Sequence, residues 1–173
     1  MKQQKVKVSR KQFAQLLYYV WLAPGLTEEA VKETVKDLGV KIRNDKHLIK
    51  IFQELSILNM WVIVHTCAGI FEDEDKRNEC LDIFHQLVYH CYIQNEEISF
   101  ANWMMLMAPI YVAYDKAMET EHPSTPLWVA ANVFNKRLFG EVQEDLGSQL
   151  KLITQIGLSM KYLAEAIKQY DIE

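Results

Sequence analysis

Asp82 and His85 stand three residues apart, which on a helix puts a carboxylate and an imidazole on one face, within reach of a shared metal ion. A helical di-metal centre asks for more: a Glu-x-x-His on each of two helices and a Glu on each of two others. This chain offers one Asp-x-x-His and no second copy. Glu54, His65 and Asp115 could complete only an irregular site, and a local Asp–His hydrogen bond is the plainer reading. His65 and Cys67 lie about 200° apart on a helix, and His85 and His90 about 140°, so neither pair can close on one ion. No nucleophile elbow, phosphate loop or dinucleotide turn is present, and the six glycines are scattered singly. No cofactor class is implied.

The aromatic load suggests binding rather than catalysis. Trp61 and Trp103, with Met104 and Met107 just before Pro109, are the candidate lining of a small-molecule pocket between helices. Methionine fills irregular gaps and lines adaptable surfaces, and ordinary core packing accounts for the same residues.

Charge is unevenly distributed. Residues 1–50 hold eleven Lys/Arg against five Asp/Glu, a net of +6, and the remaining 123 hold eight against eighteen, a net of −10. Lys41, Arg43, Lys46 and Lys50 form a local basic patch that could meet phosphates. The connection Gly39–Asn44 is longer than a helix-turn-helix turn, so nucleic-acid binding is a secondary reading.

These residues need scaffolding, and the chain supplies helices. Asn44–Phe71 opens amphipathic (Leu48, Ile51, Phe52, Leu55, Leu58) and becomes uncharged from Leu55 onward. A helix apolar on nearly every side must be wrapped, so about 45–70 is expected to be a buried central helix. Ser9 caps a helix ended by Pro24-Gly25. Thr27 caps a short one stopped by Gly39. Glu72–Asp75 forms an acidic turn before a helix over 73–94, whose expected core face is Cys80, Leu81, Phe84, Leu87, Val88 and Cys91. A helix over 99–120 should kink or break near 105–108, because Pro109 removes a backbone bond. Thr125-Pro126 starts another helix and Gly140 ends it.

The last helix, about 141–170, carries a 4-3-4-3 seam: Leu146, Leu150, Ile153, Gly157, Met160, Ala164 and Ile167. Leu152, Ile156 and Leu163 form a second stripe. The seam could pack within the bundle or between two copies.

Three cysteines argue against a disulfide framework, and Cys80 and Cys91 would lie roughly 16 Å apart along one helix, beyond bridging distance. Free, buried thiols are expected. The basic N-terminus lacks the apolar core of a secretory signal, so a cytoplasmic location is expected. The uncharged stretches 55–71 and 98–114 carry polar residues midway, and membrane insertion is not expected.

The reading is therefore an all-α, single-domain bundle over 1–173 of six or seven helices. A basic two-helix segment, 1–43, packs on a bundle formed by 44–173. Its leading function is a non-enzymatic binding or regulatory module acting through protein contacts, as a homodimer. The alternatives are a small-molecule or metal-binding bundle, with catalysis left open, and a nucleic-acid-binding regulator.

Overall fold

The computed structural model describes residues 5–23, 28–38, 42–93, 97–119, 125–140 and 146–173. These form an all-α bundle with seven α-helices among the described residues: α1 (Arg10–Leu22), α2 (Glu28–Asp37), α3 (Asp45–Ile70), α4 (Glu74–Val88), α5 (Phe100–Glu119), α6 (Pro126–Phe139) and α7 (Leu146–Ile167). Expectations at Pro24-Gly25, Thr27, Gly39, Lys41 and 141–145 lie outside the described residues.

Helix boundaries follow local chemistry. The Ser9 hydroxyl accepts from the Gln12 N–H while the Gln12 side chain accepts from the Ser9 N–H, a reciprocal cap on α1. Asn44 caps α3 through the His47 N–H at 2.9 Å, and Asp73 caps α4 through the Lys76 N–H at 3.0 Å. Thr125 with Pro126 opens α6, and Gly140 closes it at φ 83°, a left-handed conformation that side chains resist.

The central helix is α3, which touches each of the six other helices. Its two sides serve two apolar clusters. On one side Met60, Ile63 and Cys67 pack with α1 (Phe13, Leu17, Trp21), α4 (Phe84, Val88) and the first half of α5 (Trp103, Met107). On the other Ile51, Leu55, Leu58 and Trp61 pack with α2, α6, the end of α5 and the middle of α7. Each fully buried side chain of this size contributes about 1.5–3 kcal/mol.

Four features depart from expectation. First, Val6–Val8 (β1) pairs in parallel with Tyr170–Ile172 (β2), in register Val6↔Tyr170 and Val8↔Ile172, and draws the two ends together. Two three-residue strands are marginal alone; burial of Ile172 and the Lys76 Nζ bond to its carbonyl (2.6 Å) hold them.

Second, α4 ends at Val88 and a π-helical turn follows over Tyr89–Ile93. The wider turn shifts the angular register, so Cys91 is exposed instead of continuing the core face of Cys80, Leu81, Phe84 and Val88. Cys67 and Cys80 are free and buried; burial raises the first thiol to about 12 and the second to about 11.

Third, the expected break in α5 is absent: the helix continues through Pro109, which lies on the exposed side, where water can satisfy the carbonyl the ring leaves unbonded.

Fourth, the fully buried residues of α7 are Gln149, which the apolar stripes did not include, the second stripe Leu152, Ile156 and Leu163, and Ile167 of the seam. Of the seam, Ile167 is buried, Ile153, Gly157, Met160 and Ala164 are half-buried, and Leu146 and Leu150 are exposed. The seam flanks the true core face because α6 and α3 meet α7 from the side carrying Leu152 and Ile156. The Gln149 amide locks this arrangement, accepting from Asn135 Nδ2 and donating to Asn132 Oδ1 at 2.7 Å and to the Trp128 carbonyl at 3.2 Å.

Candidate functional site

A cavity of about 470 Å³ lies between the end of α1, the first half of α3, the π turn and the first half of α5. Its α3 wall follows helical spacing: Ile49, Phe52, Gln53, Ser56, Ile57 and Met60. Trp21 closes one side, Tyr92 and Ile93 of the π turn another, and Trp103, Leu106, Met107 and Ile110 of α5 the third. Tyr92 meets Trp21 edge to face, ring centroids 5.0 Å apart. The π turn therefore delivers two lining residues that a continuous α-helix would have aimed elsewhere.

Gln53, Glu54, Ser56 and Arg137 are the polar side chains among its lining. The Glu54 carboxylate takes two bonds from Arg137 of α6, from Nε at 2.7 Å and from Nη2 at 2.9 Å. Such a bidentate pair presents a nearly neutral surface to its surroundings. The Ser56 hydroxyl is buried and has no hydrogen-bond partner among the described residues. The Trp21 indole N–H is already satisfied by the Ser56 carbonyl at 3.1 Å. Ile49, Tyr92 and Leu106 form the rim, 56%, 40% and 57% exposed.

The predicted pocket residues divide. Trp103 and Met107 line the cavity. Met104 is packed at the edge of the same cluster without lining it. Trp61 belongs to the other side of α3: fully buried, it stacks on Tyr114 at 4.8 Å and donates to Asp115 Oδ1 at 2.9 Å. One residue of helical spacing, about 100°, puts Met60 on the cavity side and turns Trp61 away. Sequence reasoning missed Trp21, Ser56, Tyr92 and Arg137 as lining groups. Ser56 left a signal, one of two hydroxyls (with Thr66) in the uncharged run of α3; the Arg137–Glu54 pairing, 83 residues apart, left none.

Asp82 and His85 do not form a joint site. Asp82 is exposed, whereas His85 is buried with both ring nitrogens engaged: Nδ1 meets the Leu81 carbonyl at 2.8 Å and Nε2 the Tyr111 hydroxyl at 3.0 Å. With Nδ1 donating to a carbonyl, Nε2 must accept the Tyr111 O–H, which leaves no lone pair for a metal. His65 and Asp115 do come together, Nδ1 to Oδ1 at 3.2 Å, while Glu54 is committed to Arg137. Among the described residues no group of three or more His, Cys, Asp or Glu is placed to hold a metal ion.

The basic patch is also divided. Arg43 and Lys46 are exposed, but Lys50 Nζ donates to the Leu138 carbonyl at 2.8 Å, at the C-terminal end of α6, where a cation complements the helix dipole. Lys41 lies outside the described residues. No family model, curated protein or solved structure matches the chain.

Proposed function

We propose that this protein binds a neutral, largely apolar small molecule in the cavity between α1, α3 and α5, and does so without catalysis. The observation that carries the reading is a cavity walled mostly by apolar side chains, with the buried, unpartnered Ser56 among its lining residues. A buried hydroxyl without a partner costs about 1–3 kcal/mol, and a ligand with one hydrogen-bonding group would relieve that cost. The volume lies within the usual range for small-molecule sites, and aromatic and methionine walls suit flat or flexible apolar bodies. Neutrality of the ligand follows from the wall: Arg137 and Glu54 satisfy each other, so a buried extra charge would have no counter-ion.

The test is fluorescence titration with the neutral apolar probe N-phenyl-1-naphthylamine. Enhancement should be saturable in wild type. Ile57→Trp, which fills the cavity, should weaken it at least tenfold while the circular dichroism spectrum is retained. A probe response unchanged by Ile57→Trp would refute the site.

A second reading, self-association through α7, rests on a different observation. Leu146, Leu150, Leu158 and Tyr162 are large apolar side chains left exposed on one helix. The occupant would be a second copy of this chain, laid antiparallel so that Leu150 meets Tyr162 of the other copy. Native mass spectrometry of protein purified from cells reports both readings, as bound mass and as subunit number. A monomer at all concentrations would end the second.

A further inference from the structure

We infer that the ligand of this cavity carries an uncharged hydrogen-bond acceptor, a carbonyl oxygen, and that the Arg137 guanidinium is the group that receives it. The inference rests on the cavity being a binding site and narrows the class of molecule it takes. Its own starting point is the donors that the fold leaves without partners. An arginine side chain holds five N–H groups in a planar fork. Glu54 accepts one from Nε and one from Nη2, and the remaining N–H groups have no partner among the described residues. Arg137 lines the cavity, and its side chain is 29% exposed against 9% for Glu54. Of the two, the guanidinium is therefore the one a ligand reaches more readily.

The rest of the lining has the same bias. Gln53 and Ser56 are its other polar side chains, and the aromatic Trp21, Tyr92 and Trp103 carry one polar atom each. The Trp21 N–H is committed to the Ser56 carbonyl. The Trp103 N–H, which can only donate, has no partner among the described residues. The Ser56 and Tyr92 hydroxyls and the Gln53 amide can each donate or accept. Glu54 alone can only accept, and it belongs to the less exposed half of the ion pair. An acceptor on the ligand can thus be met by every one of these uncommitted groups except the carboxylate. A group that only donates finds no counterpart in Arg137 or Trp103.

Charge completes the class. A carboxylate or phosphate would suit a free guanidinium, but this one is neutralised by Glu54, whose own charge would repel an anion. A carbonyl leaves the ion pair intact and takes up the spare N–H groups. Hydrogen bonds to a charged donor are stronger than those between neutral groups, so a carbonyl gains over a methylene of the same shape. The aromatic side chains Trp21, Phe52, Tyr92 and Trp103 suit a planar body around it.

Fluorene and 9-fluorenone are planar and uncharged, and differ only in a methylene against a carbonyl. Their affinities for the full chain are to be measured by equilibrium dialysis and corrected for octanol–water partition. The ketone is expected to bind at least tenfold more tightly, the lower end for a hydrogen bond to a charged group. That preference should vanish in Glu54→Leu/Arg137→Met, which removes the guanidinium without stranding the carboxylate. In wild type the infrared carbonyl stretch of bound 9-fluorenone should lie at lower wavenumber than in hexane. Equal affinities, an unshifted stretch, or a preference that survives in the double variant would each overturn the inference. Saturable N-phenyl-1-naphthylamine binding, weakened by Ile57→Trp, would leave the cavity reading standing beside any of those failures. Loss of the probe and of both tricyclic ligands would overturn the two together.

Discussion

Glu54 and Arg137 face each other side-on across α3 and α6, with two parallel bonds of 2.7 and 2.9 Å and a carboxylate that is almost wholly buried. Removing the arginine leaves that buried charge without a partner. Arg137→Met should therefore destabilise the fold by roughly 3 kcal/mol, the lower part of the range for breaking a buried pair, because Arg137 retains some solvent contact. The double variant Glu54→Leu/Arg137→Met should recover most of the loss. Urea denaturation of the four proteins measures the cycle, and equal stability of single and double variants would show that the buried charge is not the cause.

His85 gives the protein a stability that depends on pH. Burial holds the imidazole below its ordinary 6.5, against the opposing pull of the Leu81 carbonyl and the Asp82 carboxylate. The unfolded chain then takes up a proton at a pH where the folded one does not. Stability is complete above about 6.5 and falls as pH drops toward the folded value, by at most about 1.4 kcal/mol per unit. His47, also lowered by burial, acts in the same direction. The contrast that isolates His85 is therefore wild type against His85→Gln, by urea denaturation at pH 7.5 and 5.5. The variant should show the shallower dependence; identical slopes would remove His85 from the account.

What could be read from the residues was local. Asn44 and Phe71 bound α3 because an all-round apolar run needs no tertiary information, and local cap chemistry does the same at Ser9, Thr125 and Gly140. The missing pieces are non-local or rotational. Pairing of Val6–Val8 with Tyr170–Ile172 joins segments far apart in the sequence, and neither three-residue run signals the other. The π turn rotates Cys91 outward and Tyr92 to the cavity, a shift that no 3.6-residue period anticipates. Trp61 and Met60 are neighbours in sequence yet face different clusters, so that Met60 and not Trp61 lines the cavity.

Gly157 reports whether the seam of α7 belongs to the interior. A Cβ built there would stand 3.2 Å from Leu127 Cδ1 at the start of α6, a contact within one chain. A large side chain at that point has to push α6 and α7 apart. Gly157→Leu should cost about 1–3 kcal/mol by overpacking, despite the better helix propensity of leucine. The loss should be the same at every protein concentration. A midpoint that varied with concentration would place the contact between copies instead.

Ser56→Ala separates the demands of folding from those of binding at a single atom. The hydroxyl is buried and has no partner among the described residues. Deleting it removes that cost and substitutes a better helix former, so the variant without ligand should be more stable than wild type by about 1 kcal/mol. A ligand that donates to or accepts from the hydroxyl should lose about tenfold in affinity, equivalent to about 1.4 kcal/mol. A purely apolar probe should bind as before. The opposite result, a less stable variant, would mean that Ser56 already has a partner in solution, and the polar anchor assigned to the cavity would be lost. Stabilisation with unchanged affinity for every hydroxyl- or carbonyl-bearing ligand would leave an apolar cavity that selects by shape alone. The combination of greater stability and weaker polar-ligand binding is what a residue retained for recognition, at the expense of the fold, must produce.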